Sequence, residues 1–393
     1  MLIQDIDVAD KDVLSEADLW RTHTPLVWKA ERFEGRPHFY PVFKWGGYYS
    51  FSPLPLARLK GNVALNPDFP PFLAGVTEPY TPPHMLIDRE IERVGGPRPF
   101  SCRMKERTPF LKRLAAAIRA DVAEVEARNP GFLNIILCGG KDSLNGLLLD
   151  WQNPVLAISA EPNYGLVRDF IRANGLRYDL AKLEDYVDEA LIGREVAENF
   201  CRIDLQHLRW TAHLAKFAQE AGGRAVFWMG SMGEGYLSPR WMKYTGNRHP
   251  LYVRFRKGFR GLARRSDFLR TSAWKLGIGK DLESTFWVRG AAWQGTIIAH
   301  YRSVTGCLTQ SFYHGPETVS VLHDGDISEL VPEDIRAELG NHLAGRKIEF
   351  PRTNPAPGEL PSRAGLWTVE RFAESLKAYG LAVVEGQGTE SET

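Results

Sequence analysis

The sequence predicts an α/β protein with a parallel sheet, a small β-rich amino-terminal domain and a helical carboxy-terminal lobe. Three observations support this prediction. Short apolar runs alternate with helical patterns between residues 133 and 229, which is typical of a parallel sheet covered on both faces. The first hundred residues are instead rich in aromatic strand formers, glycine and proline. Beyond residue 236 the pattern becomes mainly helical and basic.

Length, charge and cysteine usage limit the class of protein. The 393 residues are enough for two domains, and the formal net charge of +1 gives no general reason to expect a nucleic-acid partner. The four cysteines are scattered without a CxxC pair, which favours reduced thiols over a disulfide framework or a zinc site. No apolar run reaches membrane-spanning length, and the first residues lack a signal-peptide pattern. We therefore expect a cytoplasmic protein without a membrane partner.

Proline, glycine and helical periodicity suggest the division of the chain. We predict a β-rich domain over residues 1–108, with strands near residues 38–43 and 47–51. A second domain is predicted over residues 109–385, followed by a polar, disordered tail over residues 386–393.

Within the second domain, strands and helices alternate. Apolar β-type runs predict strands at 133–137, 155–159, 178–183 and 224–229. Helical spacing and glycine stops predict helices at 110–127, 144–150, 164–174, 204–221 and 286–303.

The first of these strands ends abruptly in the run Cys138-Gly139-Gly140-Lys141-Asp142-Ser143. A strand, a glycine turn and a helix start form the geometry that binds phosphate, because glycine lets the backbone approach an anion and the first helical N–H groups point at it. Lys141 can supply positive charge, and Asp142 can hold a magnesium ion. Ser143 can cap the helix and donate to a phosphate oxygen.

The last of these strands runs into a second glycine turn, Gly230-Ser231-Met232-Gly233-Glu234-Gly235. Both turns follow the carboxyl ends of strands, where parallel sheets bind ligands. We therefore expect the two turns to face one cleft.

The first turn resembles the Ser-Gly-Gly-x-Asp-Ser loop of the ATP pyrophosphatases, the PP-loop family that includes asparagine synthetase and the β-lactam-forming synthetases. Cys138 stands where that family has serine, and a thiol is a weaker donor. The second turn is similar to the family's Ser-Gly-Glu-Gly-x-Asp-Glu segment. Alignment on Gly230 puts Glu234 at the metal-binding aspartate, whereas a shifted register would match Glu234-Gly235 to the family's Glu-Gly.

The resemblance implies an adenine nucleotide α-hydrolase-like sheet that uses ATP and Mg²⁺. It implies metal ligation by Asp142 and Glu234, and catalytic roles for these two residues and Lys141. The implied cofactor-binding residues are Cys138, Gly139, Gly140, Lys141, Asp142, Ser143, Ile158, Ser159, Gly230 and Ser231.

The match is poorer in the carboxy-terminal lobe. Residues 309–317 are similar to the family's Arg-x-Pro-Phe-Leu-Asp segment, with Gln310 replacing the arginine and His314 the aspartate. His300 and Arg302 lie where the resemblance places the catalytic lysine, so both are further catalytic candidates.

These features imply an ATP-dependent, AMP- and pyrophosphate-forming ligase that adenylates a carboxylate and joins it to an amine. An amide or ring bond in a specialised metabolite or peptide would be the product. The family's glutaminase uses a cysteine as its first residue, and this sequence begins Met1-Leu2-Ile3, so the amino-terminal domain is at most a relic of it. The amine would then be ammonia, part of the same substrate, or supplied by a partner protein.

Two alternatives remain open at this stage. Aromatic residues interleave the basic stretch 254–270, which would suit an RNA-modifying adenylase, although a solvated helix face explains the same pattern. Cys138, the altered second turn and the missing lysine would suit a nucleotide-binding protein that has lost catalysis.

Overall fold

A computed structural model describes residues 8–15, 18, 27–34, 42–50, 53–65, 88, 90–95, 107–184, 210–231, 233, 237, 298, 301–302, 304–323, 334–355, 374, 376–377 and 381–385. This part of the chain forms two five-stranded sheets and one two-stranded sheet, with helices between them. None of the described helices is long and apolar enough to cross a membrane.

The amino-terminal region is built from short strands around one helix. Its elements are β1 (Val8–Ser15), β2 (Val27–Glu34), β3 (Val42–Trp45), β4 (Tyr48–Ser50), α1 (Pro53–Lys60), β5 (Asn62–Leu65) and β6 (Glu92–Gly95). Five of the strands form a sheet in the order β1-β2-β4-β3-β6, in which only β1 and β2 are parallel. The predicted strand 47–51 corresponds to β4, and residues 38–41 of the other predicted strand lie outside the described residues.

The remaining elements follow residue 107. They are α2 (Arg107–Arg128), β7 (Leu133–Leu137), α3 (Lys141–Leu144), β8 (Val155–Ala160), α4 (Tyr164–Ala173), β9 (Asp179–Leu183), α5 (Thr211–Glu220), β10 (Ala225–Met229), β11 (Leu308–Ser311), α6 (Pro316–His323), α7 (Arg336–Ala344) and β12 (Ala382–Glu385). A 3₁₀ turn, Asn145–Leu148, continues α3 directly.

The central sheet has the strand order β11-β10-β7-β8-β9, and each neighbouring pair is parallel. The predicted parallel sheet of an α/β protein is therefore confirmed. From β7 the chain steps through β8 to β9, and β10 then lies on the opposite side of β7. The strand order reverses between β7 and β10, which is where such sheets leave a crevice at their carboxyl edge.

Two elements of this region differ from the sequence prediction. The helix predicted at 144–150 begins earlier, at Lys141, because Gly140 rather than Ser143 is its N-cap residue. Strand β11 was not predicted, since Thr309, Gln310 and Ser311 do not form an apolar run. These residues are nevertheless buried, and β11 pairs in parallel with β10 at the edge of the described sheet. The predicted helix 286–303 lies largely outside the described residues.

The hydrophobic core is continuous across the predicted domain boundary near residue 108. Leu14, Trp28 and Tyr49 of the amino-terminal sheet belong to the same buried cluster as Phe110 and Leu114 of α2. Strand β12 lies within the predicted second domain but pairs in parallel with β5 of the amino-terminal region. Both observations show that the amino-terminal region packs directly against the region that follows residue 107.

Helix α6 is capped by a buried carboxylate from another helix. The carboxylate of Asp121, on α2, accepts hydrogen bonds from the backbone N–H groups of Glu317 (3.1 Å) and Thr318 (2.8 Å). A Cβ on Gly315 would lie 2.1 Å from the same carboxylate, so only glycine fits there. Burial raises the pKa of Asp121 to about 6, against the lowering effect of these hydrogen bonds.

This raised pKa predicts a pH dependence of stability. Near pH 5 folded Asp121 holds a proton that the unfolded chain, with an ordinary pKa of 3.8, lacks. The resulting stabilisation is present at pH 5 and lost as the pH rises through 6. Between pH 5 and 7, the unfolding free energy of the wild-type protein should fall by about 1 kcal/mol more than that of Asp121→Asn. Urea denaturation at both pH values measures this difference, and an equal change in both proteins would contradict the assignment.

Candidate functional site

The turn after β7 is built on glycine backbone at the carboxyl edge of the sheet. Gly140 has φ 136° and ψ −164°, a conformation that residues with a Cβ rarely adopt. Its carbonyl accepts hydrogen bonds from the backbone N–H (3.2 Å) and the hydroxyl (2.9 Å) of Ser143. The turn is therefore closed tightly onto the first residues of α3.

The second glycine turn lies against the first. Gly230 follows β10 directly, and a Cβ at this position would lie 2.3 Å from the backbone carbon of Asp142 and the backbone nitrogen of Ser143. A Cβ on Gly233 would lie 3.1 Å from the carboxylate oxygen Oδ1 of Asp142. Glycine at these positions lets the two turns approach within van der Waals contact.

Four charged side chains meet beside these turns, and we refer to Lys141, Asp142, Asp334 and Arg336 as the charge quartet. Lys141 Nζ lies 2.7 Å from Asp334 Oδ2. The guanidinium of Arg336 donates to Asp142 Oδ1 through Nη1 (2.5 Å) and to Asp334 through Nη2 (2.5 Å) and Nε (2.8 Å). Two cations and two carboxylates make the quartet electrically neutral.

The quartet is asymmetric in its exposure to solvent. The side chains of Lys141 and Arg336 are each 8% exposed, whereas those of Asp142 and Asp334 are 31% and 29% exposed. Burial raises the pKa of Asp334, but the hydrogen bonds from Arg336 and Lys141 outweigh it and hold that pKa at about 2. For Arg336, burial acts to lower the pKa, and Asp334 and Asp142 together raise it above its ordinary value. Both residues are therefore charged throughout the physiological pH range.

Sequence reasoning missed the segment that follows α7. Asn354 Oδ1 accepts a hydrogen bond from the backbone N–H of Lys141 (3.0 Å), and the Arg352 carbonyl accepts one from Lys141 Nζ (2.8 Å). The ring of Phe350 lies under the same ammonium group, 5.9 Å from its centroid. One of the helical N–H groups expected to face a phosphate is thus occupied by a side chain. No local pattern near residue 350 indicates this contact.

A buried tyrosine supports the turn from below. Tyr313 donates a hydrogen bond to the carbonyl of Asp142 (3.2 Å) and accepts one from Asn145 Nδ2 (3.1 Å). Its burial raises the pKa of the hydroxyl, so the group stays protonated and can donate. Within the segment that resembles the Arg-x-Pro-Phe-Leu-Asp motif, Gln310 and His314 are also buried. This segment therefore reaches the site through Tyr313.

Several predicted ligand-binding residues have buried side chains. Cys138 is fully buried, and burial raises the pKa of its thiol despite a hydrogen bond with Ser143. Ser159 donates to the Cys138 carbonyl (2.7 Å), and Ile158 packs in the core. The hydroxyl of Ser143, predicted to cap the helix and donate to a phosphate, donates to Gly140 instead. Ser231, in the second turn, is also buried, and its carbonyl accepts a hydrogen bond from the hydroxyl of Ser311.

The remaining predicted site residues are not brought to the quartet by any described contact. Glu234 and His300 lie outside the described residues, as does the basic stretch 254–270. Arg302 is buried and lies before β11 in the sequence. Its carbonyl accepts a hydrogen bond from the backbone N–H of Gly306 (2.8 Å), in the turn that leads into that strand. Gly139 is exposed at the mouth of the turn, and its carbonyl accepts from Asn163 Nδ2 (3.1 Å).

Comparison with known proteins adds no assignment to this geometry. The chain matches no protein-family model, and it matches none of the curated proteins.

Proposed function

We propose that the protein is an ATP-dependent ligase that adenylates a carboxylate, releases pyrophosphate and joins the acyl group to an amine. The observation that carries this proposal is the contact between the two glycine turns at the point where the strand order reverses. Gly230 places its backbone against that of Asp142 and Ser143 at the carboxyl edge of β7 and β10, where open α/β sheets bind nucleotides.

The residues at this edge fit a nucleoside triphosphate better than a small neutral ligand. Lys141 and Arg336 provide two buried cationic side chains beside the first glycine turn, in which Gly139 is exposed. Asp142 is partly exposed and could hold Mg²⁺, which often binds through one or two carboxylates and the phosphates of its substrate. Among the described residues no three His, Cys, Asp or Glu side chains group together, so the phosphates would supply the other ligands. Bound magnesium would offset charge on the leaving pyrophosphate.

In this proposal the protein's own groups act mainly by position and charge. The turn and Lys141 hold the phosphates, so that a substrate carboxylate can attack the α-phosphorus and break its bond to the pyrophosphate. The acyl adenylate then reacts with the amine, which displaces AMP and loses a proton. Glu234 would contribute a second carboxylate, as the resemblance implies. The substrate would be a small-molecule or peptide carboxylate together with an amine.

The identity of the nucleotide product tests the proposal. Purified protein should convert ATP and Mg²⁺ to AMP and pyrophosphate when supplied with a suitable carboxylate and amine, and never to ADP and phosphate. Exchange of labelled pyrophosphate into ATP, screened over mixed amino acids and other carboxylic acids, detects the first step without the amine. Carboxylate-dependent formation of ADP would refute the ligase assignment.

A second candidate is a nucleotide-binding protein without catalysis. It is favoured by one observation, namely that Lys141 and Asp142 are both engaged within the charge quartet. ATP binding without pyrophosphate exchange for any carboxylate tested would favour this candidate.

A further inference from the structure

The carboxylate of Asp334 occupies a set of donors that suits a phosphate group. It accepts hydrogen bonds from Lys141 Nζ (2.7 Å), from Nη2 (2.5 Å) and Nε (2.8 Å) of Arg336, and from the backbone N–H of Arg336 (3.1 Å). An ammonium group, a guanidinium that binds two oxygens and an N–H at the start of a helix are typical phosphate ligands. The donors converge on one anion at the carboxyl edge of the sheet.

The donors are fixed, and the anion is the most exposed part of this arrangement. Helix α7 is held by buried Leu339 and Leu343, and Arg119 donates to the carbonyl of Leu343 at the helix end (2.7 Å). The cationic side chains are 8% exposed, whereas the side chain of Asp334 is 29% exposed. A rotation of the Asp334 side chain towards solvent would open the donor set without moving α7.

We propose that Lys141 and Arg336 bind a phosphate group of the nucleotide, and that Asp334 occupies this position in the unliganded protein. This inference rests on the proposed function, because it assigns the phosphate ligands of that site. When the phosphate enters, Asp334 turns outward and its oxygens are replaced by phosphate oxygens. Arg336 keeps its contact with Asp142, which preserves the orientation of the guanidinium. With Asp334 turned outward, Lys141, Arg336 and Asp142 together carry a net charge of +1.

An internal carboxylate that competes with the ligand reduces the apparent affinity to the intrinsic affinity multiplied by the fraction of protein in which the site is free. Asp334→Asn removes the competing charge and retains the size of the side chain. Its affinity for Mg·ATP, measured by isothermal titration calorimetry at fixed ionic strength, should be about tenfold higher than that of the wild-type protein. A purely structural role for Asp334 would give the opposite result, namely an unchanged or lower affinity, and would overturn the proposal.

Substitutions of Arg336 should act in the other direction. Arg336→Gln should lower the affinity for Mg·ATP by about tenfold or more, and Arg336→Lys should recover part of it, because lysine keeps the charge but not the paired donors. Arg346→Gln is the matched control. That arginine lies just beyond α7 and donates to the Asn174 carbonyl (2.5 Å), outside the charge quartet, so its loss should leave the affinity unchanged. Circular dichroism should show that all variants are folded.

Inorganic pyrophosphate separates this inference from the proposed function. If the wild-type protein binds no ATP but Asp334→Asn gains affinity for pyrophosphate, the donor set is confirmed and the nucleotide assignment fails. If the wild-type protein binds ATP and neither Asp334→Asn nor Arg336→Gln changes the affinity, the proposed function stands and the role of Arg336 is wrong.

Discussion

Replacing Gly230 by alanine should destabilise the protein by about 3 kcal/mol and abolish ATP binding. The added Cβ would lie 2.3 Å from the backbone of Asp142 and Ser143, and backbone cannot rotate aside as a side chain can. Relief of this overlap requires the turns after β7 and β10 to separate, which disrupts the site as well as the packing. Urea denaturation and ATP titration measure the two losses.

Gly139→Ala is the matched control for this substitution. Gly139 lies in the first turn, which Gly230 contacts, but a Cβ there has no heavy atom within 4 Å, and its φ is not among the positive values. It should therefore change stability by less than about 0.5 kcal/mol. A Gly230→Ala variant as stable as Gly139→Ala would contradict the close approach of the two turns.

Replacing Asp142 by asparagine should lower the rate of AMP formation by about 1000-fold, or about 4 kcal/mol in the transition state. The substitution removes a carboxylate that, in the proposed function, would bind magnesium at the first glycine turn. The fold should survive, because Arg336 keeps its paired hydrogen bonds to Asp334. Initial rates across a Mg²⁺ titration measure the effect.

The control for this experiment is Asp169→Asn. Asp169 lies on α4, 61% exposed, and pairs with the neighbouring Arg168. Its loss should leave both the rate and the magnesium dependence unchanged. Normal turnover by a folded Asp142→Asn protein would refute a catalytic role for that carboxylate.

The sequence predicts the central sheet well because its information there is local. Strand β7, its glycine turn and β8 follow one another within thirty residues, and the apolar runs and glycines identify each one. Gly230 falls directly after β10. Strand β11 escapes prediction because Thr309, Gln310 and Ser311 are polar residues that the structure nevertheless buries.

The sequence predicts only two of the four residues of the charge quartet, because only these two lie in a local pattern. Lys141 and Asp142 belong to a recognisable turn, whereas Asp334 is 193 residues away from Lys141 in the sequence. An Asp two residues before an Arg near a helix start is a common surface pattern, so nothing local marks Asp334 and Arg336. Only the packing of α7 against α2 and the 3₁₀ turn brings them to the first glycine turn. Residues that meet only through such long-range packing leave no periodic pattern in the sequence.

The parallel pairing of β5 with β12 has a consequence for the synthesis of the chain. Strand β12 is made more than 300 residues after β5. A nascent chain therefore carries β5 without this partner until β12 has left the ribosome, and unpaired strand edges are sites of misassociation. Closing so long a loop also delays folding, since its entropy must be lost before the pairing is gained. Strand β5 is thus translated long before the pairing with β12 can form.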